Sequence, residues 1–92
     1  MNLNDIISRI PEYSCFLTVD ELDQSTARLA KDFPGRVEVS CVGHSRGGHP
    51  IQLIKIGHGS KNALVFACPH PNEPIGSLTV DFLTRELASN EV

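Results

Sequence analysis

Apolar and polar positions along the chain follow several distinct rhythms, and each rhythm predicts an element. From Asn4 to about Ile10, the residues Ile6, Ile7 and Ile10 suit a short docking helix capped by Asn4 and stopped by Pro11. Thr18-Val19-Asp20-Glu21 fits a capping box, in which the threonine hydroxyl and the glutamate carboxylate satisfy free amides of the first turn. Leu22, Leu29 and Phe33 follow at helical spacing and Pro34-Gly35 ends the run, so an amphipathic helix is predicted between the box and Phe33.

Beyond that helix the period changes to two. Val37, Val39 and Cys41 alternate with Glu38 and Ser40, the signature of a half-buried strand. Arg46-Gly47-Gly48 supplies a turn and Ile51 to Ile56 a second strand, which together predict a hairpin. Ala63-Leu64-Val65-Phe66-Ala67-Cys68 is apolar at every position and therefore suits a central strand buried on both faces. Ser77 to Ala88 reads as a closing helix, with Leu78, Phe82, Leu83 and Leu87 on an apolar stripe and Asp81, Arg85 and Glu86 on other faces. Helix, hairpin, buried strand, loop and helix form the opening of an α/β sandwich with a mixed sheet. Ligands bind such sheets outside the carboxyl ends of the strands, so the loop after Cys68 is the first place to look for chemistry.

Size limits what that chemistry can be. A chain of 92 residues and 10.0 kDa should expose roughly 5,200 Å² when folded and bury about 64% of its unfolded surface. One small core follows, and two independent domains are excluded. Eight Lys and Arg against eleven Asp and Glu give a net charge of −3, which argues against nucleic-acid binding and against a polybasic membrane patch. Cys15, Cys41 and Cys68 are too widely spaced for a disulfide scaffold or a metal knuckle and read as reduced thiols. With no apolar segment resembling a signal peptide or a membrane span, a cytoplasmic setting is expected.

The loop Pro69-His70-Pro71-Asn72-Glu73-Pro74 puts an imidazole and a carboxylate three residues apart between prolines. Both are good ligands for a borderline cation such as Zn²⁺, and the prolines reduce the conformations the loop must lose on binding one. Pro74 suits the first position of the following helix, which places Asn72 or Glu73 near its cap. The same residues also fit a plain helix start, with Asn72 as cap, Glu73 as a first-turn acid and His70 exposed in a turn. Two ligands do not make a catalytic zinc site, which usually has three protein ligands and a water.

The Gly-x-Ser-x-x-Gly turn at Gly43-His44-Ser45-Arg46-Gly47-Gly48, the strand to Gly57, the apolar segment and the His70-Pro71-Asn72-Glu73 loop before a helix resemble the N-terminal part of the zinc metallocarboxypeptidase family. About half of the residues from Val42 to Leu87 carry the resemblance, and the helix before the first strand fits the family as well. It implies a three-layer α/β/α sandwich with a mixed sheet, of the phosphorylase/hydrolase-like type, and hydrolysis of a C-terminal peptide bond or a related amide by zinc-activated water. It implies Zn²⁺ as cofactor, with His70 and Glu73 as ligands and Asn72 as a substrate-binding residue. The family's third ligand, its general-base glutamate and its carboxylate-binding arginines have no counterpart before Val92. Residues 1–92 are therefore expected to form a single domain that is the N-terminal segment of a larger catalytic domain, weak in zinc binding and inactive alone. Asn72 stands where the digestive enzymes have arginine, which leaves open an N-acyl amino-acid deacylase of the aspartoacylase or succinylglutamate desuccinylase type. A non-catalytic remnant or binding module of the same fold is the alternative from another class.

Two rival motifs fall away. Gly43-His44-Ser45-Arg46-Gly47 matches the G-x-S-x-G elbow of serine hydrolases, but that elbow needs a helix after the serine and an acid and then a histidine downstream. A strand follows instead, no acid lies between Ser45 and His70, and no histidine follows His70. Gly43 to Gly48 has phosphate-loop spacing, yet His49-Pro50 replaces the required Lys-Ser/Thr. His44, His49 and His58 are expected to be solvated turn residues, and Cys68 a small buried hydrophobe. The partners expected are a peptide or amide substrate and, through an exposed sheet edge, a second copy of the chain.

Overall fold

The computed structural model describes residues 2–70 and 72–89; Pro71, in the middle of the candidate loop, lies outside the described residues. Five elements follow one another: α1 (Leu3–Ser8), α2 (Val19–Asp32), β1 (Val37–His44), β2 (Pro50–Ile56) and α3 (Ile75–Ser89).

Local signals set the start and end of α2. Thr18 Oγ1 accepts from the Glu21 amide at 3.1 Å and Glu21 Oε1 accepts from the Thr18 amide at 2.8 Å, the reciprocal pair of a capping box. Gly35, at φ 83°, turns the chain out of the helix in a region that side chains with a Cβ avoid. The first helix is shifted from expectation. Asn2, rather than Asn4, is its cap, because Asn2 Oδ1 accepts from the Asn4 amide at 2.9 Å. Leu3 and Ile7 remain mostly exposed, so α1 docks chiefly through the flanking Arg9.

β1 and β2 pair antiparallel from Val37↔Ile56 to His44↔Pro50, with an irregularity between Cys41 and Gly43. The predicted turn closes the hairpin through Ser45 and His49, the Ser45 amide donating to the His49 carbonyl at 2.8 Å. Val37 and Val39 stand opposite Ile56 and Ile54 on the face turned to the helices. There they meet Leu29 and Ala30 of α2, Phe33 at its C-cap and Ala88 of α3, and this is the core.

One expectation needs correction. Residues 63–68 form no strand, and Leu64, Val65 and Phe66 are 79%, 58% and 74% exposed. A strand exists by pairing, and among the described residues β1 and β2 are the two paired strands, forming a two-stranded antiparallel sheet. The polar positions of α3, which the pattern placed off the apolar stripe, each meet a partner. Glu86 is buried beneath Arg9, Ser25 Oγ donates to Asp81 Oδ1 at 2.5 Å, and Arg85 meets Asp32 at 3.3 Å. These contacts tie α3 to α2 and to the end of α1.

The accessible surface is 7282 Å², about 2,000 Å² more than a compact monomer of this mass exposes. The radius of gyration is 13.7 Å against about 12 Å for a compact chain of this length. Among the described residues no helix is long and apolar enough to cross a membrane.

Candidate metal centre

The loop leading into α3 is shaped by its own backbone. Cys68 adopts a left-handed conformation at φ 59°, unusual for a residue with a Cβ, two residues before His70. The Glu73 amide donates to the His70 carbonyl at 3.1 Å, closing a turn over residues 70–73. Pro74 immediately precedes α3, so the helix starts one residue later than its proline suggested. The Pro74 carbonyl accepts from the Ser77 amide at 3.1 Å and from Ser77 Oγ at 2.7 Å, which fixes the loop's far end.

That turn brings the two candidate ligands together. His70 Nδ1 lies 4.0 Å from Glu73 Oε1, with both side chains about 70% exposed. Two donors on one tetrahedral zinc at bonds of about 2.1 Å are about 3.4 Å apart. A small rotation of either exposed side chain covers the difference, so the donor types and their spacing fit a zinc ion. Asn72 is exposed beside them. The fit stops at two donors: among the described residues no three His, Cys, Asp or Glu side chains cluster around a common point.

The remaining histidines are engaged elsewhere. His49 Nε2 bonds Asp23 Oδ2 at 2.9 Å, which ties the hairpin turn to α2, and His58 Nε2 lies 2.9 Å from the Gly35 carbonyl. His44 Nε2 is 4.0 Å from Cys41 Sγ at the end of β1. The two tethered rings are therefore structural side chains of exposed turns rather than merely solvated ones. Ser45 Oγ accepts from the His49 amide at 3.1 Å within a strand-turn-strand unit, the opposite of a nucleophile elbow. Cys68 is half-buried, its Sγ 4.0 Å from the Glu73 carbonyl.

Gly76 is a positioning residue that the pattern of apolar and polar positions did not single out. A methyl group there would lie 3.2 Å from Ala67 Cβ and 3.6 Å from the Cys68 amide nitrogen. The first turn of α3 thus comes close to the segment that launches the candidate loop. A glycine at the second position of a helix, where alanine would favour helix formation, was the available signal.

Two cavities flank α3, and neither is lined by His70 or Glu73. One, of about 500 Å³, lies between the segment 10–16 and Ile75, Leu78 and Phe82. The other, of about 170 Å³, separates α2 from α3, with Ile54 and Ala67 in its wall. Both open onto apolar side chains that a larger core would cover.

No curated protein matches this sequence. The family model described as zinc carboxypeptidase matches residues 22–91, from the first turn of α2 to beyond the end of α3. That span contains the hairpin, the 70–73 turn and most of the core, and its α/β elements with a two-stranded antiparallel sheet are compatible with part of that family's fold. The chain belongs to the zinc carboxypeptidase family.

Proposed function

We propose that this chain supplies two zinc ligands, His70 and Glu73, to a carboxypeptidase-like site that hydrolyses a C-terminal peptide bond or a related amide. One observation carries the reading: within a segment matching the zinc carboxypeptidase family, His70 Nδ1 and Glu73 Oε1 lie 4.0 Å apart on one solvent-exposed turn. When bound, zinc polarises a carbonyl and acidifies its bound water. His70 would contribute a neutral imidazole nitrogen and Glu73 a carboxylate oxygen. The Asn72 carboxamide, between them in sequence, offers both a donor and an acceptor to a substrate amide. The third ligand and the general base come from outside residues 2–89, in the three-layer sandwich with a mixed sheet that the family implies.

The assignment is tested with the purified chain and Zn²⁺ on a panel of C-terminal peptides and N-acyl amino acids. The expected result is no turnover, together with metal binding that depends on His70 and Glu73. Metal-dependent turnover lost in His70→Ala would show a complete site, and preference for N-acyl amino acids would then assign the chain to the deacylases. A chain that neither binds metal nor hydrolyses any substrate would be a non-catalytic member of the fold.

A further inference from the structure

Among the described residues, Cys68 is the one residue other than glycine with a positive φ, at 59°. Residues with a Cβ take this left-handed conformation in only a few per cent of cases, and β-branched ones are outliers there. The contacts that hold it sit at the two ends of the loop. At the start, a methyl group on Gly76 would lie 3.2 Å from Ala67 Cβ and 3.6 Å from the Cys68 amide nitrogen, so residues 67–68 run beside the first turn of α3. At the far end, the Pro74 carbonyl accepts from the Ser77 amide and hydroxyl, which ties the loop to that same turn. A short loop with both ends set has few backbone paths open to it, and the path taken here requires a left-handed residue at 68. Strain of this kind persists only where the surroundings over-determine it, and it gathers at functional sites. The thiol is not what holds it: Cys68 Sγ is 4.0 Å from the Glu73 carbonyl, where an S–H bond contributes little.

We propose that the left-handed backbone at Cys68 is a positioning device for the metal centre, setting the 70–73 turn so that His70 and Glu73 address one point. The proposal rests on the reading of those two residues as zinc ligands. Both side chains are about 70% exposed, so backbone rather than packing aims them. Along the observed path the Glu73 amide reaches the His70 carbonyl at 3.1 Å and His70 Nδ1 comes to 4.0 Å from Glu73 Oε1. An extended residue at 68 would carry the loop off this path, and the two donors would then have to be ordered when an ion binds, at a cost in conformational entropy. All of these contacts lie within residues 67–77, inside the segment 22–91 that matches the family.

Cys68→Gly, Cys68→Ala and Cys68→Val in the full chain separate a backbone role from a side-chain role, because the two roles rank the variants in opposite orders. Glycine enters the left-handed region freely, alanine tolerates it as cysteine does, and valine fills the space of the thiol but resists the conformation. Two readouts apply: the nuclear Overhauser contact between the His70 ring and the Glu73 side chain without metal, and Zn²⁺ affinity by calorimetry. The contact should survive in the glycine and alanine variants and be lost in the valine variant. Zinc affinity should stay within about threefold of the parent for glycine and alanine and fall by roughly tenfold for valine. Far-UV circular dichroism should keep its helical signal in all three, because Cys68 lies outside the core. Should the valine variant fail to fold, glycine and alanine decide alone, since a packing or thiol role predicts loss in both. Loss of the contact in the glycine or alanine variant, its survival in a folded valine variant, or its absence from the parent chain would overturn the proposal. Zinc affinity indifferent to His70→Ala would instead overturn the reading of the metal centre, and the metal-free contact would still decide the role of Cys68.

Discussion

Arg9 Nε and Nη2 donate to Glu86 Oε1 and Oε2 at 2.9 and 2.8 Å, a bidentate pair joining the end of α1 to the last turns of α3. Glu86 is 8% exposed, so its charge is held where water alone would serve it poorly. The fork geometry makes arginine specific here. Arg9→Ala should lower the thermal midpoint, and Arg9→Lys should restore only part of the loss because an ammonium cannot meet both oxygens. Equal midpoints for the lysine variant and the parent chain would show that charge alone matters.

The capping box of α2 gives a cleaner stability prediction. Thr18→Ala removes the oxygen that accepts from the Glu21 amide and should cost about 1 kcal/mol in urea unfolding. Thr18→Ser keeps that oxygen and should stay within a few tenths of the parent. A loss of the same size in both variants would point to packing of the threonine methyl instead.

Tyr13 is the only tyrosine in a chain without tryptophan, so absorbance near 295 nm follows its ionisation alone. Burial raises its pKa above the usual value of about 10, and the negative charge of Asp81 adds to the shift. The folded state therefore keeps the proton to higher pH than the unfolded chain does. The resulting stabilisation is present below about pH 10 and is lost as pH rises through the folded value. The native titration midpoint should lie above 10, and Asp81→Asn should lower it only in part because burial is the larger cause. A native midpoint at or below 10 would contradict this placement of the ring.

Gly76 separates helix propensity from close packing. Ala67, the neighbour an added methyl would press, belongs to a segment without backbone hydrogen bonds and can yield a few tenths of an ångström. Gly76→Ala should therefore be neutral or stabilising by up to about 1 kcal/mol, whereas Gly76→Val should destabilise by forcing residues 67–68 away. Destabilisation by alanine would show that the 67–68 segment is held more rigidly than its hydrogen bonding suggests.

What could be read from sequence was what depends on near neighbours. The Thr18/Glu21 box, the Gly35 stop and the Gly47-Gly48 turn are written in residues a few positions apart, and each stands where its pattern placed it. The Asn2 cap was missed because Asn2 and Asn4 are both competent caps and only the backbone chooses between them. Ala63 to Cys68 carried a strand's composition, but a strand also needs a partner, and composition does not supply one. The burial of Glu86 was not legible because its partner is 77 residues away. Within the candidate site, the proximity of His70 and Glu73 follows from a single turn, whereas Gly76 matters through a contact with Ala67 that no period reveals.

Zinc binding by the intact chain is the most direct measurement of the proposed centre, read by calorimetry and by histidine NMR shifts during titration. The expected result is weak binding of one ion that shifts the His70 ring and leaves His44, His49 and His58 in place. His70→Ala and Glu73→Gln should each weaken the affinity by roughly tenfold or more, a loss of at least about 1.4 kcal/mol. Affinity unchanged in the His70→Ala/Glu73→Gln double variant, or shifts centred on His49 and its partner Asp23, would place the metal elsewhere and contradict the assignment of the 70–73 turn.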